Sequence, residues 1–250
     1  MTYFNNLGQA RVGWRIPSGG GGNSIITNGL ILNLDAGNVS SYPGTGTTWT
    51  DLSGQSNNGT LINGVGYTSA NGGALTFDGV NDYVNLGNPS TIQFTSTSAF
   101  SIGVWIKHTS TTACNILSKQ LNSVPYNGWG LGVNSGGNKL QFFTFDTGGK
   151  IVDFPGIYNN NTWNYISVSR LSDNVSDYKL YVNGVSVPST IITNLNNPNL
   201  VSSTNLQISG RGGANNIWGG SLSIAQIYNR GLSDSEVLQN FNATKTRFGL

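Results

Sequence analysis

Apolar and polar residues alternate in several short runs along this chain. Leu30, Leu32 and Leu34 alternate with Ile31, Asn33 and Asp35, the pattern of a half-buried strand. Between Ser101 and His108, Ile102, Val104 and Ile106 fall on one face, Trp105 and Lys107 on the other. Lys139 to Phe145, Trp163 to Arg170, Tyr178 to Val182, Leu206 to Ser209 and Leu222 to Tyr228 read as further strands. Asn-Gly pairs begin at Asn28, Asn58, Asn63, Asn71, Asn127 and Asn183. The last lies between Leu180-Tyr181-Val182 and Val185-Ser186-Val187 and predicts a type I′ hairpin, whose turn residues both need positive φ. Many short strands closed by turns predict an all-β sandwich or jelly roll.

One helix interrupts this pattern. Leu232-Ser233-Asp234-Ser235-Glu236-Val237 has the form of a capping box, with Ser233 as N-cap and Glu236 reaching back to it. Leu232 and Val237 are placed as its hydrophobic staple, and the helix is expected to run to about Phe241. The Lys245 to Leu250 tail, basic and apolar, fits packing back on the sandwich or reaching a neighbour.

The start of the chain differs. Phe4, Arg11, Trp14 and Arg15 precede Pro17-Ser18 and the run Gly19 to Gly22. Such a glycine run is a flexible linker. Residues 1–24 are therefore expected to form an extended arm and linker, and residues 25–250 the folded domain. Trp14 between two arginines is the kind of anchor that interfaces favour, so the arm is expected to dock on a partner.

Composition removes several chemistries. Of 250 residues only 9% are charged, against roughly 25% in ordinary soluble domains. The net charge of +2 rests on 12 scattered basic residues, which make no nucleic-acid stripe. Cys114 is the single cysteine, so neither an internal disulfide nor a cysteine zinc site is available. His108 is the single histidine and Glu236 the single glutamate, which excludes a two-His metal site and catalysis by a Glu pair. No run approaches the roughly 20 apolar residues of a membrane span, and Met1 to Pro17 contains no signal-type hydrophobic segment. A polar β surface without such a signal suits a particle released by lysis, and equally export through a non-cleaved signal or a chain trimmed of its signal.

Several phrases together carry a resemblance. They are Gly29-Leu30-Ile31-Leu32-Asn33-Leu34-Asp35-Ala36, Trp49-Thr50-Asp51-Leu52-Ser53-Gly54, Asn57-Asn58-Gly59-Thr60-Leu61 and Phe77-Asp78-Gly79-Val80-Asn81-Asp82-Tyr83-Val84. Phe100-Ser101-Ile102-Gly103-Val104-Trp105-Ile106, Trp163-Asn164-Tyr165-Ile166-Ser167-Val168, Tyr181-Val182-Asn183-Gly184 and Ile227-Tyr228-Asn229-Arg230-Gly231-Leu232-Ser233 follow. Their order resembles the laminin-G-like branch of the concanavalin A-like lectin/glucanase jelly rolls, over about residues 25 to 245. The opening phrase and the closing Asn240-Phe241-Asn242-Ala243-Thr244 are similar to structural proteins of tailed phages, marine and cyanobacterial ones especially. The resemblance implies two packed antiparallel sheets, with Phe77, Tyr83, Trp105 and Tyr228 in the core and Trp49 there as well.

Family membership alone fixes no function. The Glu-x-Asp-x-Glu pattern of glycanases on this fold is absent, leaving the spaced pairs Asp78/Asp82 and Asp173/Asp177. A nucleophilic triad would need His108, whose place near a strand end suits a surface or capped residue better. Relatives often bind calcium at the sandwich rim, and Asp78, Asn81 and Asp82 offer oxygens on one loop; the same residues also suit turn support. Sugar binding is expected at Tyr126-Asn127-Gly128-Trp129 and Asn215-Asn216-Ile217-Trp218, with Tyr126, Asn127, Trp129, Asn216 and Trp218 as contacts. Both indoles would equally plug the ends of the sandwich.

The expected protein is a non-enzymatic virion component, a head decoration or fibre-type accessory of a phage, made in the host cytoplasm. Its arm docks on other virion proteins and its jelly roll contacts glycans or a host surface. The alternatives are a carbohydrate-binding or adhesion module at a bacterial cell surface and, further off, a glycoside hydrolase. No cofactor is expected, calcium being the one ion the residues admit. Homo-oligomerisation through the arm is compatible; nucleic-acid and membrane partners are not expected.

Overall fold

The computed structural model describes residues 24–109, 112–124, 126–134, 139–145, 149–153, 161–172, 178–188, 190–193 and 200–250. The arm residues Phe4, Arg11, Trp14 and Arg15, and the pair Asp173/Asp177, lie outside the described residues. In chain order the strands are β1 (Leu30–Asp35), β2 (Thr48–Trp49), β3 (Gly59–Ile62), β4 (Gly66–Thr68), β5 (Ala74–Asp78), β6 (Tyr83–Asn85), β7 (Phe100–His108), β8 (Cys114–Gln120) and β9 (Gly128–Val133). Then come β10 (Leu140–Phe145), β11 (Gly149–Asp153), β12 (Trp163–Arg170), β13 (Tyr178–Val182), β14 (Val185–Val187), β15 (Thr190–Thr193), β16 (Gln207–Ile208) and β17 (Gly219–Tyr228). Helix α1 (Asp234–Thr244) follows, then a 3₁₀ turn over Lys245–Phe248.

All strand pairs are antiparallel. The first sheet runs β14-β13-β12-β7-β17-β5-β4, with β1 also on β17; the second runs β15-β11-β10-β9-β8-β16-β6-β3-β2. This is the jelly-roll sandwich expected from the alternation. The Asn183-Gly184 pair closes the β13–β14 hairpin with φ of 52° and 78°, as its residue types require.

The main core lies between the sheets. Ile102, Val104 and Ile106 meet Trp129, Leu131 and Phe142 of the second sheet there. Phe77 joins them, but Tyr83 is only half-buried. β1 departs from strict alternation: a register shift between Leu30 and Leu32 lets Ile31 join Leu32 and Leu34 in this core. Leu30 packs against a second apolar cluster instead.

That second cluster covers the other face of the first sheet. Trp105 is its centre, stacked 3.9 Å from the Phe248 ring and 5.7 Å from Phe241, with Tyr165 at 5.6 Å. Its Nε1 donates to Thr244 Oγ1 at 2.8 Å. Trp105 and Tyr228 are therefore buried under the helix, outside the intersheet core. The C-terminal tail packs back on the sandwich, and Arg247 Nη1 grips both Asp35 oxygens at 2.8 Å. Asn240 ties the helix to the chain's first described turn: its Oδ1 accepts from Ile26 N–H and its Nδ2 donates to Tyr228 Oη.

The capping box forms as expected. Ser233 Oγ accepts from Glu236 N–H, and Glu236 Oε2 accepts from Ser233 N–H at 2.9 Å. Arg230 closes a fork on the same carboxylate at 2.6 and 3.0 Å, which holds Glu236 down at about 2. The helix continues to Thr244, one turn past the expected end.

At the end of β7, beside the start of β17 in the same sheet, lies His108. The ring is 3% exposed, and its Nδ1 accepts from Trp218 Nε1 at 2.7 Å. That places the ring proton on Nε2. Burial pushes the imidazole down from 6.5 to about 4. The unfolded chain thus takes up a proton before the folded chain does. The stability from neutral His108 is complete above about pH 6.5 and is lost as pH falls through 4, with an upper bound of roughly 3 kcal/mol. A His108→Gln variant keeps an acceptor but cannot titrate. Its melting temperature is expected to be lower than wild type at pH 7 and flatter between pH 6.5 and 4.5, above the range where Glu236 titrates. An unchanged slope in thermal melts across that window would refute the assignment.

Candidate functional site

Three glycines set the outward face of the second sheet. In β9, Trp129, Leu131 and Val133 point into the core, so Gly128, Gly130 and Gly132 point out. Their register partners form three rows across β10, β9 and β8: Gln141-Gly132-Asn115, Phe143-Gly130-Ser118 and Phe145-Gly128-Gln120. The middle position of every row lacks a side chain. A trough results, walled by β10 on one side and β8 on the other.

The glycines are needed for this shape. The Phe143 ring leans over β9, and a Cβ on Gly130 would sit 2.4 Å from its Cζ. Gly128 has a φ of 125°, and a Cβ there would meet Lys119 O at 1.9 Å. Phe143 and Phe145 are half-buried neighbours, with ring centroids 5.8 Å apart. The cleft is about 140 Å³ and is lined by Asn115, Gln120, Gln141, Phe143, Phe145 and Arg211.

Its polar walls are unusual for so buried a place. Asn115 and Gln120 are 4% and 1% exposed, yet Asn115 Nδ2 and Gln120 Nε2 donate to nothing. An unmet buried donor costs about 1–3 kcal/mol, and such groups in a native structure call for an explanation. Gln120 Oε1 accepts from Arg211 Nη1 at 2.9 Å, and Asn122 Oδ1 accepts from Arg211 Nε at 3.2 Å. The guanidinium lies over the Tyr126 ring, 5.2 Å from its centroid. Burial pulls Arg211 below its ordinary value, and Tyr126 acts in the opposite direction. Among the described residues no carboxylate pairs with Arg211.

Part of the sequence-predicted sugar site borders this cleft. Tyr126 stacks on Arg211, and Asn127 sits in the same β8–β9 turn, where its carbonyl accepts from Leu121 N–H. Asn216 follows Asn215, which bridges Arg211, and its carbonyl accepts from Asn115 N–H at 2.8 Å. The two tryptophans do not belong to it. Trp129 and Trp218 are both 0% exposed. Trp129 packs against Phe94 and Phe142, and Trp218 against Phe77 and His108. Neither indole presents a face to a sugar. The aromatic surface comes instead from Phe143 and Phe145, in the strand predicted over Lys139 to Phe145, for which no role was expected. The alternating glycines of Gly128-Trp129-Gly130-Leu131-Gly132 were the signal for it.

The carboxylates Asp78 and Asp82 meet elsewhere, at a cleft of about 430 Å³ that also includes Asn63, Gly64 and Thr76. Asp78 Oδ1 accepts from Val80 and Asn81 N–H, and Asp82 Oδ2 from Asp78 N–H. The Asn81 carbonyl accepts from Asn63 Nδ2 at 3.0 Å. Burial raises the Asp82 carboxyl, and the neighbouring Asp78 carboxylate raises it further. Calcium takes six to eight oxygens. After the turn's own bonds, three side-chain oxygens of the candidate loop remain, Asp78 Oδ2, Asn81 Oδ1 and Asp82 Oδ1, and among the described residues no three His, Cys, Asp or Glu side chains gather. The donor set therefore fits turn support and falls short of a calcium shell. Millimolar calcium or EDTA is expected to shift the melting temperature by less than about 1 °C; a rise of several degrees with calcium would contradict this.

No curated protein matches the chain in sequence. Its fold is similar to the binding domain of paraclostridial mosquitocidal protein 1, with a TM-score of 0.65 at 20% identity, covering 87% of this chain and 52% of that one. It is also similar to botulinum neurotoxin type C, whose passage into cells depends on interaction with two ganglioside molecules: TM-score 0.65, 18% identity, 88% and 52% covered. Trypanosoma rangeli sialidase in complex with sialic acid gives a TM-score of 0.60 at 14% identity, with 88% of this chain and 33% of that one covered. At these identities the likeness concerns the fold. The chain spans about half the length of the toxin structures and a third of the sialidase. The family model described as the concanavalin A-like lectin/glucanases superfamily matches residues 78–238, more than half of the chain. The chain belongs to that superfamily.

Proposed function

We propose that the domain is a non-enzymatic glycan-binding module, with the glycine-floored trough of the second sheet as its site. The observation that carries this reading is one cleft lined by two half-buried phenyl rings and by two amide side chains with unmet donors. Sugar rings offer C–H faces for aromatic stacking and oxygens for hydrogen bonds, and binding sites combine apolar walls with a few placed polar groups. The similar folds include proteins whose descriptions name gangliosides and sialic acid, which agrees with contact to cell-surface glycans.

Hydrolysis fits the trough less well. Glycoside hydrolysis generally uses a pair of carboxylates flanking the bond to be cut, and the lining residues include none. The virion setting, and the docking of the arm on virion proteins, gain no support from the fold or the site. The proposal stands on the binding module, the reading shared with a cell-surface adhesin.

The test is a glycan array probed with the purified chain, followed by two pairs of variants. Phe143→Ala and Phe145→Ala are expected to weaken binding of any captured glycan by about tenfold each, since an aromatic contact contributes on the order of 1 kcal/mol. Their melting temperatures should stay near wild type. Trp129→Ala and Trp218→Ala should instead lower stability by about 3–5 kcal/mol, because each empties a filled core site. Binding that survives both phenylalanine changes would place the sugar elsewhere.

A further inference from the structure

Two residues that line the trough each hold a buried side-chain atom without a partner, Asn115 Nδ2 and Gln120 Nε2, and both atoms are donors. Gln141, also in the lining, carries an acceptor as well as a donor, whereas Arg211 has donors only. Its Nε and Nη1 reach neutral amide oxygens, and Nη2 has no protein partner among the described residues. The nearby orphan acceptor, Asn127 Oδ1, is not among the lining residues.

A neutral sugar matches such a wall poorly, because each hydroxyl brings a donor with its acceptor. A carboxylate or sulfate group brings acceptors alone and carries the charge that Arg211 lacks among the described residues. Hydrogen bonds to an ionised group are roughly twice as strong as neutral ones. Resting on the glycan-binding reading, we propose that the trough selects acidic saccharides. The anionic group of the sugar meets Arg211, Asn115 and Gln120, and its ring lies on Phe143 and Phe145. The pattern of donors and the uncompensated cation on one rim, with phenyl faces on the other, carry the assignment.

The experiment is a direct binding titration with matched saccharides: lactose, its sialylated form and its sulfated form, alongside a trigalacturonate and its methyl ester. At least one charged member is expected to bind tenfold or more tightly than its neutral counterpart, with the preference shrinking as salt rises. The sialyl and galacturonate arms report carboxylate recognition and the sulfated arm sulfate recognition. Arg211→Gln should remove the preference, and Arg211→Lys should retain part of it, because charge is kept while the planar fork is lost. Thermal melts verify that each variant is folded, and the salt series on the unaltered chain needs no variant. Equal affinity for charged and neutral partners, or a preference that survives Arg211→Gln, overturns the acidic assignment and leaves the glycan reading standing. Binding to no saccharide in this set or on the array overturns both.

Discussion

Stacking of Trp105 against the C-terminal segment decides which face of the sandwich is left for function. A sheet has two faces, and the intersheet core uses one from each. The first sheet carries Trp105, Tyr165, Tyr181 and Tyr228 on its other face, an aromatic load too large to leave in water. Phe241 and Phe248 cover it, and the capping box, the Arg230 fork and the Arg247–Asp35 pair fix the segment that bears them. With that face closed, the second sheet supplies the trough. Its glycines make the opposite choice: they carry no side chains of their own and leave room for the Phe143 ring to lean over β9.

Much of the fold was legible because alternation, turn chemistry and capping each have a strict physical period. The β7 stripe of Ile102, Val104 and Ile106, the Asn183-Gly184 turn and the Ser233–Glu236 box all stand where those periods put them. The site was less legible. Trp129 sits beside Tyr126 and Asn127 in sequence, so it resembled a platform; but the same alternation that leaves Gly128 and Gly130 outside turns Trp129 inward. Trp218 had no such period around it, and its burial depends on His108, a residue 110 positions away in sequence. The Phe142-Phe143 doublet was ambiguous for a different reason. Both parities of β10 are apolar, and only pairing with the glycine strand determines that Phe142 is core and Phe143 is surface.

Cations in this chain show how Arg211 differs from its counterparts. Carboxylates are scarce, and buried basic groups are held mostly by carbonyls. Lys119, fully buried, donates to Ser202 O, Thr204 O and Asn88 Oδ1, and burial lowers it to about 8. Arg170 reaches the Thr95 and Ser96 carbonyls and covers the Tyr178 ring. Each of these ties loops to the sandwich interior, and each points away from solvent. Arg211 is placed at a rim, leans on Tyr126 and reaches only amide side chains.

That placement has a consequence for stability. Two unmet amide donors and a half-buried guanidinium each oppose folding, and the replacement of Asn115 by an apolar residue of similar size would relieve part of the cost. A structural account offers nothing in return for keeping them, since neither orphan N–H holds a loop, a strand or a turn. Glycines at the three central positions add to the cost, because a strand built of them loses more chain entropy on folding. Groups that weaken a fold while converging on one cleft are what a binding surface looks like before its ligand arrives. In the proposed complex, acceptors from outside would meet the donors and recover the stability given up there, so the same atoms that cost the free domain would supply selectivity.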